Sequence, residues 1–136
     1  MIEYVYADDV EALARDIVYT LHDYLGYIDM TRLRFIRSYG SRTSAVARIH
    51  ALPSIWRFVL ALDPIYVIEV ISEKFDNLSR REKIKTIIHE LLHIPPRFTG
   101  GLRPHGKYVN QRIVDKLYRL YMKRVRERRN KYLDLI

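Results

Sequence analysis

Two histidines and a glutamate stand close together in the segment His89-Glu90-Leu91-Leu92-His93. In a helix, residues four apart project from one face, so His89 and His93 can bring two imidazole nitrogens to one metal ion. Zinc suits this set, because neutral imidazole is among its usual ligands and a catalytic site keeps one position open for water. Glu90 lies beside the histidines and can take a proton from that water. The segment therefore predicts a zinc metallopeptidase, in which a zinc-bound water activated by Glu90 hydrolyses the peptide bond.

A catalytic zinc site needs a third protein ligand, and His105 is the predicted one. His105 follows His93 by twelve residues in the sequence. The loop between them contains Gly100 and Gly101, which let the backbone turn back towards the end of the helix. The expected ligands of Zn²⁺ are therefore His89, His93 and His105.

Asp115 is the alternative third ligand, because some zinc peptidases take a carboxylate from the helix that follows the active-site helix. His22, His50 and Glu127 are further candidates. The simpler interpretation of His22 is a helix-surface residue, and that of His50 is a strand residue.

The helix that carries the motif has clear start and stop signals. Ser79 and Glu82 have the Ser-x-x-Glu spacing of a capping box, directly ahead of regularly spaced apolar residues. Pro95-Pro96 denies the backbone donors and torsion angles that a helix needs. A helix is therefore predicted from Ser79 to near Ile94.

Other elements are predicted around this helix. An N-terminal helix should begin at a cap formed by Asp8 or Asp9 and stop at Gly26 in a left-handed conformation. Residues 32–39 and 45–52 suggest a β-hairpin, whereas 53–62 could form a short helix or a buried strand, with the helix favoured. Residues 65–72 predict a strand, and apolar residues at helical spacing after His105 predict a long C-terminal helix. The expected fold is α+β, a minimal zincin-like domain spanning residues 1–136, with an N-terminal helix, a small mixed β-sheet, the active-site helix and the C-terminal helix.

The composition limits both the chemistry and the location. The 136 residues include no cysteine, which excludes disulfides, thiolate zinc sites and cysteine nucleophiles. The missing disulfides and an N-terminus without the plan of a signal peptide favour a cytoplasmic, intracellular location. The apolar stretches are too short to span a bilayer, so no membrane partner is expected.

Basic residues are concentrated near the C-terminal end of the chain. The formal net charge is +8, and residues 116–131 contain eight basic residues against one acid. Such a surface favours polyanions through counterion release, so nucleic acid is a candidate partner. The alternative hypothesis is therefore a nucleic-acid-binding accessory protein in which the metal is structural or vestigial.

The stretches 88–95 and 100–106 resemble a family of small metallopeptidases found in phages and archaea. The run 66–76 also looks like that family, so the likeness covers about half of the chain. More distantly, the His-Glu-x-x-His helix followed by His105-Gly106 is similar to the SprT-like metalloproteases, some of which act on proteins crosslinked to DNA. In those proteases the His of the His-Gly pair is the third zinc ligand, so the resemblance implies this role for His105.

Three further features could contact a polypeptide substrate. The strand that precedes a zincin active-site helix commonly aligns the substrate by backbone hydrogen bonds, so Tyr66 to Ile71 is the candidate strand here. Tyr108 and Arg103 lie near His105 in the sequence and could donate to the developing oxyanion or touch the substrate.

Overall fold

The computed structural model describes all 136 residues as an α+β arrangement, with six α-helices and one four-stranded mixed sheet. In chain order the elements are β1 (Glu3–Tyr6), α1 (Asp8–Thr20), α2 (His22–Leu25), a 3-10 turn (Met30–Arg32), β2 (Leu33–Tyr39), β3 (Ala47–Ala51), α3 (Ser54–Leu60), β4 (Tyr66–Ile71), α4 (Ser72–Phe75), α5 (Arg80–Leu92) and α6 (Gln111–Leu135). The predicted fold class is confirmed, and so are the N-terminal, motif-bearing and C-terminal helices.

The strand order β1-β2-β4-β3 shows that the predicted β-hairpin is wrong. β2 and β3 are consecutive in the chain, but β4 lies between them, parallel to β2 and antiparallel to β3. β4 reads YVIEVI and is buried at five of its six positions, so it takes the central place, where both faces of a strand can be covered. The connection after β2 runs past the end of β4, where Ile71 N donates to Val46 O at 2.9 Å.

The N-terminal segment differs from its predicted form in two ways. β1 was not predicted, because all four of its residues are exposed and carry no alternating apolar signal; it pairs antiparallel with β2 at the sheet edge. Neither Asp8 nor Asp9 caps α1, since Ala7 occupies that position without a side-chain bond. Asp9 instead pairs with Arg37 of β2, with 2.9 Å between Oδ1 and Nη1.

Gly26 ends the N-terminal helical region, but its conformation is right-handed, with φ −66° and ψ −12°. The predicted left-handed stop is therefore wrong. Gly26 is required by close approach instead, because a Cβ built there would lie 2.4 Å from the His22 carbonyl oxygen. The region also divides into α1 and α2 at Leu21.

The hydrophobic core is one cluster of 24 buried residues that extends from Ala7 to Tyr121. It joins β2 and β4, through side chains such as Phe35 and Ile68, to the helices α1, α5 and α6. The opposite face of the sheet carries exposed residues such as Tyr4, Arg34 and His50. None of the helices, including the 25-residue α6, has the apolar length that a transmembrane crossing requires.

Candidate metal centre

α5 begins and ends where the sequence predicts, and this holds the motif in place. The Ser79 hydroxyl accepts a hydrogen bond from Glu82 N at 3.2 Å, which caps the helix. Apolar residues along α5 are buried in the core. His89 lies in the last turn, and His93 follows as the C-terminal cap residue, so both imidazoles lie at the same end of α5.

The loop after α5 turns back onto the helix end through hydrogen bonds from Arg103. Arg103 N donates to His93 O at 2.7 Å, and its guanidinium donates to Leu92 O through Nε at 3.1 Å and Nη2 at 2.9 Å. These bonds satisfy carbonyl groups that the helix end leaves without partners. They also bring His105, two residues further along, beside the two histidines of α5.

Tyr66 of β4 holds the other end of this loop. Its hydroxyl accepts from Gly100 N at 2.8 Å and donates to Gly101 O at 2.9 Å. Gly100 has a φ of 104°, which a residue with a side chain rarely adopts. The expectation that this pair of glycines turns the loop back is thus met at Gly100.

The three imidazoles form a compact triangle. Ring centroids lie 5.1 Å apart for His89 and His93, 5.0 Å for His89 and His105, and 4.8 Å for His93 and His105. One ring nitrogen from each residue lies within 4.8 Å of the others, so the group could hold a metal ion. The chain has no other group of three histidine or acidic side chains with this geometry.

The ionisation of the group is compatible with metal binding. Burial, together with charge repulsion from the neighbouring His93 and His105, lowers the pKa of His89 to about 4, so His89 is neutral at pH 7. His93 Nδ1 lies 2.5 Å from Arg103 O, a carbonyl that can only accept. His93 therefore donates through Nδ1 and leaves the lone pair of Nε2 free, as metal-bound histidines usually do.

Glu90 is buried on the same helix end, with 6% of its surface exposed. Burial away from water disfavours the charged carboxylate and raises the pKa of Glu90 to about 7. At neutral pH the group can therefore either accept or give up a proton.

An open groove passes both Glu90 and the histidines. One part of it, about 300 Å³, is lined by β3 residues together with His89, Glu90, His93, Leu102 and His105. A second part, about 230 Å³, lies between α5 and α6 beside the start of β3 and shares Ala47, His89 and Glu90. One side of the groove is thus formed by residues 45–49, which include the first half of β3.

β3 is an edge strand, since it pairs only with β4. Its free edge has backbone groups available to an extended peptide. The prediction that Tyr66 to Ile71 aligns the substrate is wrong, because that strand is β4, which is paired on both sides. β3 has this free edge because it is the last strand in the order β1-β2-β4-β3.

The remaining candidate residues lie outside the histidine group. Asp115 makes an ion pair with Lys85 at 2.9 Å and accepts from Gln111 at 2.8 Å, and the Lys85 hydrogen bond lowers its pKa. Arg103 is committed to the helix end, and its guanidinium stacks 5.3 Å from the centre of the Tyr108 ring. Neither Arg103 nor Tyr108 lines the groove.

The other two candidate histidines also lie elsewhere. His50 of β3 contacts Glu69 at 2.8 Å, and His22 lies in α2.

A comparison with protein families finds one whose description is "Putative phage metallopeptidase", with a match over residues 2–130. No curated protein and no solved structure matches the chain. The likeness to SprT-like metalloproteases therefore stays a prediction.

Proposed function

This chain belongs to the phage metallopeptidase family that matches residues 2–130, and we propose that it is a zinc peptidase with ligands His89, His93 and His105. The observation that carries the proposal is the meeting of three imidazoles, from α5 and a separate loop, beside a buried carboxylate in an open groove. Three protein ligands leave one tetrahedral position for water, which is the pattern of catalytic zinc. Glu90 would be the general base.

When bound, zinc would polarise both a water molecule and the carbonyl group of the scissile peptide bond. Glu90 accepts the proton that water loses as its oxygen bonds to the carbonyl carbon. Glu90 then gives this proton to the amide nitrogen as the carbon–nitrogen bond breaks, so that a carboxyl group and an amine result. A pKa of Glu90 near 7 suits both transfers, since neither form is strongly favoured at neutral pH.

The substrate would bind as an extended peptide against the free edge of β3. Support comes from the position of β3 beside Glu90 and the histidines in the groove. Main-chain hydrogen bonds to an edge strand give affinity without demanding one sequence. The groove on either side of His89 would then receive side chains of the peptide.

Elemental analysis of purified protein tests the ligand set, including the choice between His105 and Asp115. We expect about one zinc ion per chain in the parent protein and in Asp115→Ala, but much less in His105→Ala. The ion pair between Asp115 and Lys85 supports this choice. Full zinc in His105→Ala would contradict the ligand assignment, and a parent protein without stoichiometric metal would contradict the zinc peptidase itself.

Glu90→Gln tests the general base. The variant should keep its zinc but lose peptide hydrolysis by about 10²- to 10⁴-fold, because the amide cannot accept the proton. Glu3→Gln is the control, since Glu3 is exposed on β1 and lines neither part of the groove. Turnover of Glu90→Gln equal to that of the parent would show that another group moves the proton.

A second candidate function is nucleic-acid binding through the basic residues 116–131. Two of them pair with acids of the N-terminal helices, Arg124 with Asp23 and Arg128 with Asp16. After Val125, however, every residue of α6 is exposed, which leaves a cationic helix free for a partner. If α6 binds nucleic acid, the affinity for single- or double-stranded DNA should fall steeply with salt. A flat salt response would argue against this function.

The proposal also includes the domain organisation of the chain and its site of action. One domain of residues 1–136 is supported by the single core cluster, which includes residues of the first and last helices. An intracellular site of action is supported by the absence of cysteine.

A further inference from the structure

α3 carries a group of large apolar side chains that face solvent. Its residues Ile55, Trp56, Phe58, Val59 and Leu60 are all more than half exposed, and Phe58 reaches 87%. Water-soluble surfaces rarely expose a contiguous apolar patch of this kind unless something covers it. We name these five residues the α3 patch.

The apolar side chains surround most of the helix. At about 100° per residue, the α3 patch spans an arc of about 200°, from Phe58 through Ile55 to Leu60. A helix that packs against one protein surface needs an apolar stripe of only about 100°. An arc twice as wide suits a helix that is surrounded by an apolar medium on several sides.

Arg57 lies on the side of α3 that the apolar arc does not cover, and this side faces the protein. A Cβ on Gly100 would lie 2.7 Å from the Arg57 guanidinium, so this side chain packs against the loop that Tyr66 holds. Leu102 of the same loop lines the groove beside the histidines. α3 therefore projects from the end of the groove, directly after β3.

Both chain segments that meet at α3 are free of acidic residues. Residues 40–62 contain Arg42, Arg48 and Arg57, whereas 91–114 contain Arg97, Arg103, Lys107 and Arg112; neither segment has Asp or Glu. The first acidic residue after α3, Asp63, is already paired with Arg32 at 2.7 Å. An apolar projection whose own segment and neighbouring loop carry basic but no acidic side chains is complementary to an anionic lipid surface, where apolar side chains enter the interface and basic ones meet the headgroups.

We propose that the α3 patch docks this protein on an anionic lipid bilayer, with Trp56 and Phe58 in the headgroup and acyl boundary. No membrane partner was expected because no segment is long enough to cross a bilayer. A helix that lies in the membrane surface does not have to cross it, so that reason does not apply to α3. Because α3 lies at the end of the groove, docking would bring the groove close to peptide segments at the membrane surface.

Trp56 is the only tryptophan in the chain, so its fluorescence reports on the α3 patch alone. The test titrates the full-length protein with vesicles of phosphatidylcholine and phosphatidylglycerol, and with vesicles of phosphatidylcholine only. The Trp56 emission should shift to the blue and be quenched by brominated lipid. Binding to the anionic vesicles should be at least about tenfold tighter and should weaken with salt.

The double variant Phe58→Ser/Val59→Ser keeps the probe and should weaken vesicle binding by about tenfold or more. Both side chains are exposed, so the fold should be unchanged by circular dichroism. The matched control is Tyr19→Ser/Tyr132→Ser, which removes two exposed aromatic side chains from α1 and α6. The control should bind like the parent protein.

Three results would overturn the proposal. Vesicle binding without a change in Trp56 emission would place the contact elsewhere, such as on α6. A blue shift that depends on protein concentration without lipid, and that Phe58→Ser/Val59→Ser abolishes, would identify a second copy of the chain as the occupant. No binding to either vesicle would exclude a lipid surface. Because the readout needs neither metal nor hydrolysis, the outcome is independent of the zinc peptidase proposal.

Discussion

The pKa values of two buried glutamates, Glu69 and Glu90, are shifted in opposite directions because their surroundings differ. Burial raises the pKa of Glu90 to about 7, and no basic side chain opposes it. Burial also acts to raise the pKa of Glu69, but the hydrogen bond from Arg48 and the contact with His50, both at 2.8 Å, outweigh it and hold the pKa at about 2. The first environment suits proton transfer, whereas the second suits a permanent charge that ties β3 to β4.

The Glu69 environment predicts a pH effect on stability. Its folded pKa lies below the ordinary value of 4.5, so its contribution is present above pH 4.5 and is lost as the pH falls towards 2. Between pH 5 and pH 2.5 the free energy of unfolding of the parent should fall by about 2 kcal/mol more than that of Glu69→Gln. Urea unfolding at a series of pH values measures both slopes.

Glu3→Gln is the control for this experiment, because Glu3 is exposed on β1. It should keep the parent slope. If Glu69→Gln and Glu3→Gln lose stability equally as the pH falls, the Arg48 and His50 contacts do not set the ionisation of Glu69.

At the scale of elements, the loop between α5 and α6 depends on the Arg103 bonds to the helix end. Arg103→Ala removes the two guanidinium bonds to Leu92 O, so only the backbone contacts of residue 103 with His93 still hold His105 beside the helix end. We expect zinc affinity to fall by about 10- to 100-fold, as for other residues that orient metal ligands, while the melting temperature of the metal-free protein changes little. Competition with a fluorescent zinc chelator measures the affinity.

Arg97→Ala is the matched change in the same loop, since Arg97 is exposed and makes no side-chain hydrogen bond. It should bind zinc as the parent does. Equal affinities for Arg97→Ala and Arg103→Ala would mean that His105 needs no support from the helix end.

The N-terminal cap of α5 also contributes to stability at the scale of a single element. Ser79→Ala removes the bond to Glu82 N and should lower the free energy of unfolding by about 1 kcal/mol. Ser54 occupies the first position of α3 without a capping bond, so Ser54→Ala should change stability by less than about 0.5 kcal/mol. Thermal unfolding measures the stability of both variants. If Ser79→Ala lost no more stability than Ser54→Ala, the cap would not contribute to the stability of the fold.

At the scale of the whole molecule, the histidine group joins segments that are distant in sequence. α5 provides two imidazoles, the loop provides the third, and Tyr27 of the N-terminal region donates to Ile94 O at 2.8 Å. A metal bound here would therefore link several parts of the fold, and binding to the folded state alone would stabilise all of them.

Metal removal tests this link. At free zinc about 1,000-fold above the dissociation constant, the parent should be more stable than the chelator-treated protein by about 4 kcal/mol. His93→Ala should melt at one temperature with and without chelator, because it lacks one of the three imidazoles. Differential scanning fluorimetry measures the melting temperatures. If neither zinc nor chelator changed the melting temperature of the parent protein, metal binding at this group would be contradicted.

Local features of the fold were predictable because their causes lie within a few residues. The cap at Ser79 and the stop at Pro95 act on α5 directly, and the apolar spacing of α1 and α6 repeats every turn. The order of the strands was not predictable in this way, because strand pairing joins residues far apart in sequence. A hairpin between β2 and β3 satisfied every local signal, and only the placement of β4 excluded it.

The sequence by itself determined that His89 and His93 share a helix face beside Glu90, since helical geometry alone requires it. Only the tertiary structure decided that His105 joins them while Asp115 pairs with Lys85, because that depends on hydrogen bonds between a loop and distant elements. It also decided that β3 borders the groove as a free edge and that the α3 patch faces solvent. The exposure of a side chain depends on how the whole chain packs. An apolar segment has the same sequence pattern whether or not other parts of the fold cover it.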